Sequence, residues 1–264
     1  MSGLKEKTLF LLDMDGTIYL GDELFDCTMP FLEKIKEKGG RALYLTNNSS
    51  KSKKTYVEKL ARMGIEAREE DFVTSVEATI DRLQREQPGK LFYVCGTASL
   101  KEELTRAGVR ITDRYGKEVE GLLMGYDTEL TYQKLDDCSR LLTLKPGLPY
   151  YATNPDWVCP TEYGYVPDCG SVCEMLWRAT GRRPVFIGKP QPDMIEMALR
   201  RTGTPPEQAL LVGDRLYTDV ASALAAGIDG AFVLSGEGTL GDVEKTGVKP
   251  TYIFKDVGEL ARKI

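Results

Sequence analysis

Histidine is absent from all 264 residues, and that absence removes several chemistries at once. No Ser-His-Asp triad, imidazole general base or histidine-containing zinc site can be assembled from this chain. Proton transfer falls to carboxylates, Lys, Tyr or Cys, and any metal must be held mainly by oxygen or thiolate. Long apolar runs are missing too. None reaches the ~18–20 residues that span a bilayer, and Leu9 to Leu12 is too short for a secretory core, so a cytoplasmic protein without membrane association is expected. There is no basic excess either: 35 basic against 40 acidic residues give a net charge of −5, which argues against a nucleic-acid partner. The six cysteines (Cys27, Cys95, Cys138, Cys159, Cys169, Cys173) contain no CxxC pair and read as reduced, packed thiols. Cys159, Cys169 and Cys173, spaced by ten and four, lack a fourth ligand, so packing is favoured over metal binding there.

The chain does have ample apolar content, 42%, enough for a core without disulfides or structural metal. Short apolar runs alternate with amphipathic stretches, which predicts an α/β fold: a Rossmann-like, doubly wound parallel sheet covered by helices. Strands are expected at residues 8–12, 42–45, 185–187, 209–212 and 231–234. Helices are expected at 31–38, 50–63, 192–201 and 219–226, several closing on glycine. The middle has its own rhythm, with strands at 91–94, 121–126 and 150–153, helices at 99–107 and 131–144, and a structured loop over 154–170. This predicts a core domain from residues 1–80 and 181–264, with an α/β domain of residues 81–180 inserted into it.

Four short segments fall at expected strand ends. Asp13-Met14-Asp15-Gly16-Thr17 puts two carboxylates one residue apart before a glycine that permits a turn, so that one can act as nucleophile and the other as acid and base. Thr46-Asn47-Asn48-Ser49-Ser50 offers hydroxyls, amides and N–H groups where a helix starts, a cradle for phosphate. Gly188-Lys189-Pro190 fixes a lysine in a constrained backbone ahead of a helix. Gly213-Asp214-Arg215-Leu216-Tyr217-Thr218-Asp219 carries two more carboxylates, five residues apart, which a loop must bring together. Alone, each has an ordinary explanation as an Asx-turn, a helix cap or a solvated charge. Together they sit where ligands bind in open α/β sheets, beyond the carboxyl ends of the strands. Converging Asp13, Asp15, Asp214 and Asp219 would repel one another unless Lys189 and a hard divalent cation offset the charge. With oxygen ligands only, Mg²⁺ is the natural ion.

These residues resemble the haloacid dehalogenase superfamily, specifically its NagD-like or p-nitrophenylphosphatase branch. The resemblance runs through DMDGTIYLG (Asp13–Gly21), TNNSS (Thr46–Ser50), NPD (Asn154–Asp156), GKPQP (Gly188–Pro192) and VGDRLYTD (Val212–Asp219), and spans essentially the whole chain. It implies a Mg²⁺-dependent phosphatase that hydrolyses small phosphate monoesters through an aspartyl-phosphate on Asp13. Asp15 would protonate the leaving alcohol and then activate water. Thr46 and Asn47, with Asn48 beside them, would bind the phosphoryl group, and Lys189 would steady the charge. Asp13, Asp15 through its backbone carbonyl, and Asp214 would hold the metal, with Asp219 supporting from beside or behind. The insert resembles the cap of this branch, which selects the substrate; such caps also support homodimers.

Two other readings share the fold: a phosphometabolite-binding regulatory protein without turnover, and a phosphotransferase that passes the phosphoryl group to an alcohol. Retention of Asp13 and Asp15 speaks against the first. A G-x-G-x-x-G at Gly236–Gly241 lacks the βαβ context of a dinucleotide fingerprint and reads as loop punctuation.

Overall fold

The computed structural model describes residues 3–161 and 163–264. A six-stranded sheet runs in the order Tyr252–Phe254, Asp229–Val233, Ala209–Gly213, Leu9–Asp13, Arg41–Thr46, Phe72–Thr74. The four pairings among its first five strands are parallel. Strand order reverses at Leu9–Asp13: the chain leaves it for Arg41–Thr46 on one side, and Ala209–Gly213 lies on the other. This is the switch point at which open α/β sheets bind ligands. A second, five-stranded parallel sheet has the order Val185–Phe186, Tyr150–Ala152, Gly121–Met124, Phe92–Cys95, Ile111–Thr112. The expected α/β class with two sheets is what the chain forms.

The sheets belong to two units, residues 1–46, 53–73 and 189–264 in one, and 47–52 and 74–188 in the other. The first unit's core gathers Phe10, Leu12, Phe31, Ile35, Tyr44, Leu210 and Val212 around the central strands. The Thr28–Glu37 helix supplies Phe31 and Ile35 from one face, as their four-residue spacing requires, and Phe31 meets Phe10 edge-on at 6.2 Å. The second unit has a separate core that includes Tyr93, Leu122, Leu141 and four buried cysteines, Cys95, Cys138, Cys169 and Cys173. All six cysteines are free thiols.

Several expectations need correction. The second unit is wider than 81–180. Its first long helix, Ser75–Glu86, is fixed by a reciprocal cap, in which Thr74 Oγ1 accepts from Glu77 N–H and Glu77 accepts from Thr74 N–H. That helix buries Val76, Ala78 and Leu83, so a boundary at residue 80 would cut through it. At the other end, Val185–Phe186 pairs with Tyr150–Ala152 and not with the larger sheet. Residues 154–170 are not simply a loop: Val158–Thr161 and Gly164–Pro167 pair antiparallel. Pro160, Gly164 and Pro167 hide that pairing, because both residue types usually punctuate strands. The helix Cys169–Thr180 and the strand Phe72–Thr74 also went unread.

Candidate active site

Parallel register builds the site before any side chain is considered. Leu12 is level with Val212, and Asp13 with Leu45. Asp13 therefore ends the central strand beside Gly213 and Leu45, with Asp214 and Thr46 each one residue further on. Beyond Asp13 the chain folds back, Gly16 N–H donating to Tyr19 O at 2.7 Å, with Gly16 at φ +86°. This turn leaves Asp15 exposed while Asp13 is half-buried.

Lys189 and Asp219 come from the other motifs. Lys189, first residue of the returning core chain, is 4% exposed, and its Nζ donates to Asp13 Oδ1 at 2.5 Å and to Asp219 Oδ1 at 2.7 Å. Asp219 does not begin an ordinary α-helix, as expected, but lies in a π-helical turn, Leu216–Val220. In that turn Val220 N–H reaches Arg215 O, five residues back. The wide turn folds the five-residue Asp214–Asp219 interval back on itself, and Arg215 N–H donates to Asp219 Oδ2 at 3.1 Å.

Asp13, Asp214 and Asp219 present carboxylate oxygens within 4.8 Å of one another. Burial pushes the Asp13 carboxyl up to about 8, reinforced by Asp219 and Asp214 and opposed by Lys189. Burial, then Asp219, pushes Asp214 up to about 6. Burial would lower the Lys189 ammonium, but Asp13 and Asp219 outweigh it and hold the group protonated. Three carboxylates thus face one ammonium, which is the electrostatics of an anionic site built for a further cation. Asp214 Oδ1 is buried and has no hydrogen-bond partner among the described residues, whereas both oxygens of Asp219 are engaged. An orphaned buried carboxylate oxygen amid oxygen-only donors fits a hard divalent cation.

The remaining expected residues are placed differently. Thr46 is 9% exposed at the end of its strand. Asn47 and Asn48 lie in the second unit. The Asn47 side-chain amide donates to the Asp156 carboxylate at 3.1 and 3.3 Å, and its carbonyl accepts from Ser75 Oγ at 2.7 Å and Asn154 Nδ2 at 2.8 Å. Asn48 Oδ1 closes a turn by accepting from Ser50 N–H and Oγ–H. The sequence reading missed Gly236 and Glu237, which lie against Asp214, and Ser235, which bonds to Gly16 O. Their signal was the glycine pattern taken as punctuation, since it follows the strand next to Ala209–Gly213.

A family model for haloacid dehalogenase-like hydrolases matches residues 10–110, and a HAD-hydrolase-like model matches residues 186–260. An acid sugar phosphatase of Staphylococcus aureus is 37% identical over 256 residues, 97% of each chain. Among solved structures, the 4-nitrophenylphosphatase from Thermotoga maritima superposes with a TM-score of 0.92 at 39% identity, covering 98% of both chains. A glycerol phosphate phosphatase from Mycobacterium tuberculosis, in complex with magnesium, gives 0.89 at 31% identity, covering 98% of this chain and 78% of its own. The motifs, the sheet order and these likenesses agree, and the chain belongs to the haloacid dehalogenase-like hydrolases, in their NagD-like branch.

Proposed function

We propose that this hydrolase cleaves small phosphate monoesters, sugar and polyol phosphates among them, by forming an aspartyl-phosphate on Asp13. The observation that carries this reading is the buried Asp13–Lys189–Asp219 cluster, with exposed Asp15 two residues from its nucleophile. The enzyme is a phosphoric monoester hydrolase, in keeping with the phosphatase activity named for its relatives.

In the first step an Asp13 oxygen attacks phosphorus, and the ester oxygen leaves as an alcohol with a proton from Asp15. In the second, Asp15 takes a proton from water, whose oxygen attacks the acyl phosphate and releases inorganic phosphate and free Asp13. Lys189 holds Asp13 in place and offsets its charge before attack. Thr46 offers its hydroxyl to the phosphoryl oxygens. Asp13 and Asp214, with the Asp15 carbonyl, would hold Mg²⁺, which supplies charge neutralisation on the transferring group.

The test is phosphate release from a panel of monoesters, including p-nitrophenyl phosphate, with Mg²⁺ and with EDTA. Turnover should need the metal, and Asp13→Asn should lose about four orders of magnitude or more in kcat while remaining folded. Wild-type rates in that variant would refute the covalent mechanism.

A further inference from the structure

The segment 235–238 follows the Asp229–Val233 strand, which pairs in parallel with Ala209–Gly213, so the loops after these strands are neighbours. It grips the Asp13–Asp214 region at three points. Ser235 Oγ–H donates to Gly16 O at 2.7 Å, Glu237 N–H donates to Asp214 Oδ2 at 2.7 Å, and Gly238 N–H donates to Asp214 O at 3.1 Å. The approach is close enough to demand glycine. A Cβ on Gly236 would overlap the Asp214 carboxylate and lie 2.7 Å from Gly16 Cα, and a Cβ on Gly238 would overlap Asp214 O.

Glu237's own side chain closes the arrangement. Its Oε2 is 2.9 Å from Arg215 Nε, and its Oε1 accepts from Tyr217 Oη at 3.1 Å. Arg215 directly follows Asp214, and its backbone N–H is the donor to Asp219 Oδ2. One exposed-edge carboxylate therefore ties together the residues that orient both buried acids. The Glu237 side chain is itself 47% exposed, so nothing in core packing accounts for the contacts it makes.

We propose that Glu237 is a positioning residue for the divalent cation. Its carboxylate, latched by Arg215 and Tyr217, holds the loop so that its backbone N–H fixes Asp214 Oδ2. That leaves Oδ1 as the one oxygen of Asp214 free to serve as a ligand. A carboxylate with one oxygen pinned cannot swing about its terminal bond, so it meets the ion in a single orientation. This inference rests on the reading that the aspartate cluster holds a metal. Partners that orient ligands in this way typically contribute about 10–100-fold to metal affinity.

The experiment is Mn²⁺ titration of the full chain, followed by the electron paramagnetic resonance signal of free Mn²⁺, for wild type, Glu237→Ala, Glu237→Gln and Asp214→Asn. Glu237→Ala keeps the backbone N–H but loses the latch, and should weaken Mn²⁺ binding about 10-fold. Glu237→Gln, which keeps the Tyr217 bond, should recover part of that loss. The Mg²⁺ concentration for half-maximal phosphate release should rise in parallel. A purely structural role would lower the melting temperature in EDTA and leave the Mn²⁺ affinity of Glu237→Ala equal to wild type, which overturns the proposal. Absence of Mn²⁺ binding by wild type, or unchanged binding by Asp214→Asn, would instead overturn the metal reading, and the positioning role with it.

Discussion

Lys189 Nζ donates to Asp219 Oδ1 at 2.7 Å, and the same ammonium reaches Asp13 at 2.5 Å, so one buried cation serves two carboxylates, one buried and one half-buried, from two different motifs. Desolvating these charges is tolerable only because they are mutually hydrogen-bonded, and removing one member leaves the others uncompensated.

Lys189→Met should therefore fail twice. Turnover should drop by about 10²–10³-fold, the usual cost of deleting one charge-stabilising donor. In EDTA the fold should lose about 3–5 kcal/mol, because Asp13 and Asp219 are left facing each other. Lys189→Arg should not rescue, since a planar fork cannot replace a compact ammonium at 4% exposure. Steady-state kinetics and urea denaturation check both parts, and wild-type kcat in Lys189→Met would remove the lysine from the mechanism.

The unpartnered Asp214 Oδ1 leads to a prediction about ligand linkage. A cation that binds only the folded chain stabilises it by mass action, by about 2.7 kcal/mol at a hundred times its dissociation constant. Wild type should accordingly melt at a higher temperature in Mg²⁺ than in EDTA, and Asp214→Asn should show little of this shift. An equal Mg²⁺ shift in the variant would place the cation elsewhere.

How much of this was legible beforehand depended on range. The strand ends Asp13, Thr46 and Asp214 could be read because each follows an unbroken apolar run, and parallel sheets bury such runs on both faces. Lys189 was visible through its glycine and proline neighbours, and so was the strand Val185–Phe186 before it, though not the pairing of that strand, whose partner lies some thirty residues back in the sequence. The π-helical turn at Leu216–Val220 was hidden, since its wider period depends on where Asp219 must point and not on local propensity. Gly236 was misread for a similar reason. Glycine there answers to the Asp214 carboxylate twenty-two positions earlier, a contact no local pattern encodes.

Lys7 is a second buried lysine, and it sits at the other end of the same sheet. It is 1% exposed, pairs with Asp229 Oδ2 at 2.5 Å and donates to Glu207 O at 2.7 Å. Lys7 lies two residues ahead of the Leu9–Asp13 strand and Asp229 begins its own, so both are about 16 Å or more from the carboxylate cluster by the rise of a five-residue strand. Lys7→Met should cost about 3–5 kcal/mol by leaving Asp229 unpaired, and the double variant with Asp229→Asn should recover part of it. The kcat of correctly folded Lys7→Met should match wild type. A large fall in kcat without loss of stability would contradict this separation of structural from catalytic charge.

In the second unit, Asp168 caps the helix Cys169–Thr180, its Oδ1 accepting from Cys169 N–H at 2.5 Å. Burial pushes this carboxyl up to about 7 and Asp156 adds to the effect, while the Cys169 N–H and the Asn154 side chain oppose it. In the unfolded chain the same group ionises at its ordinary value of 3.8. Between those values the folded state binds more protons than the unfolded one, so this group lowers stability as pH rises through that window, with the full penalty present above about 7. Asp168→Asn keeps a good N-cap without the ionisation. Relative to the variant, wild type should therefore lose stability between pH 5 and pH 8, measured by urea denaturation in EDTA across about that range. Parallel profiles for the two proteins would mean that the Asp168 carboxylate is ionised at little cost, and that the cap is solvated more than its burial implies.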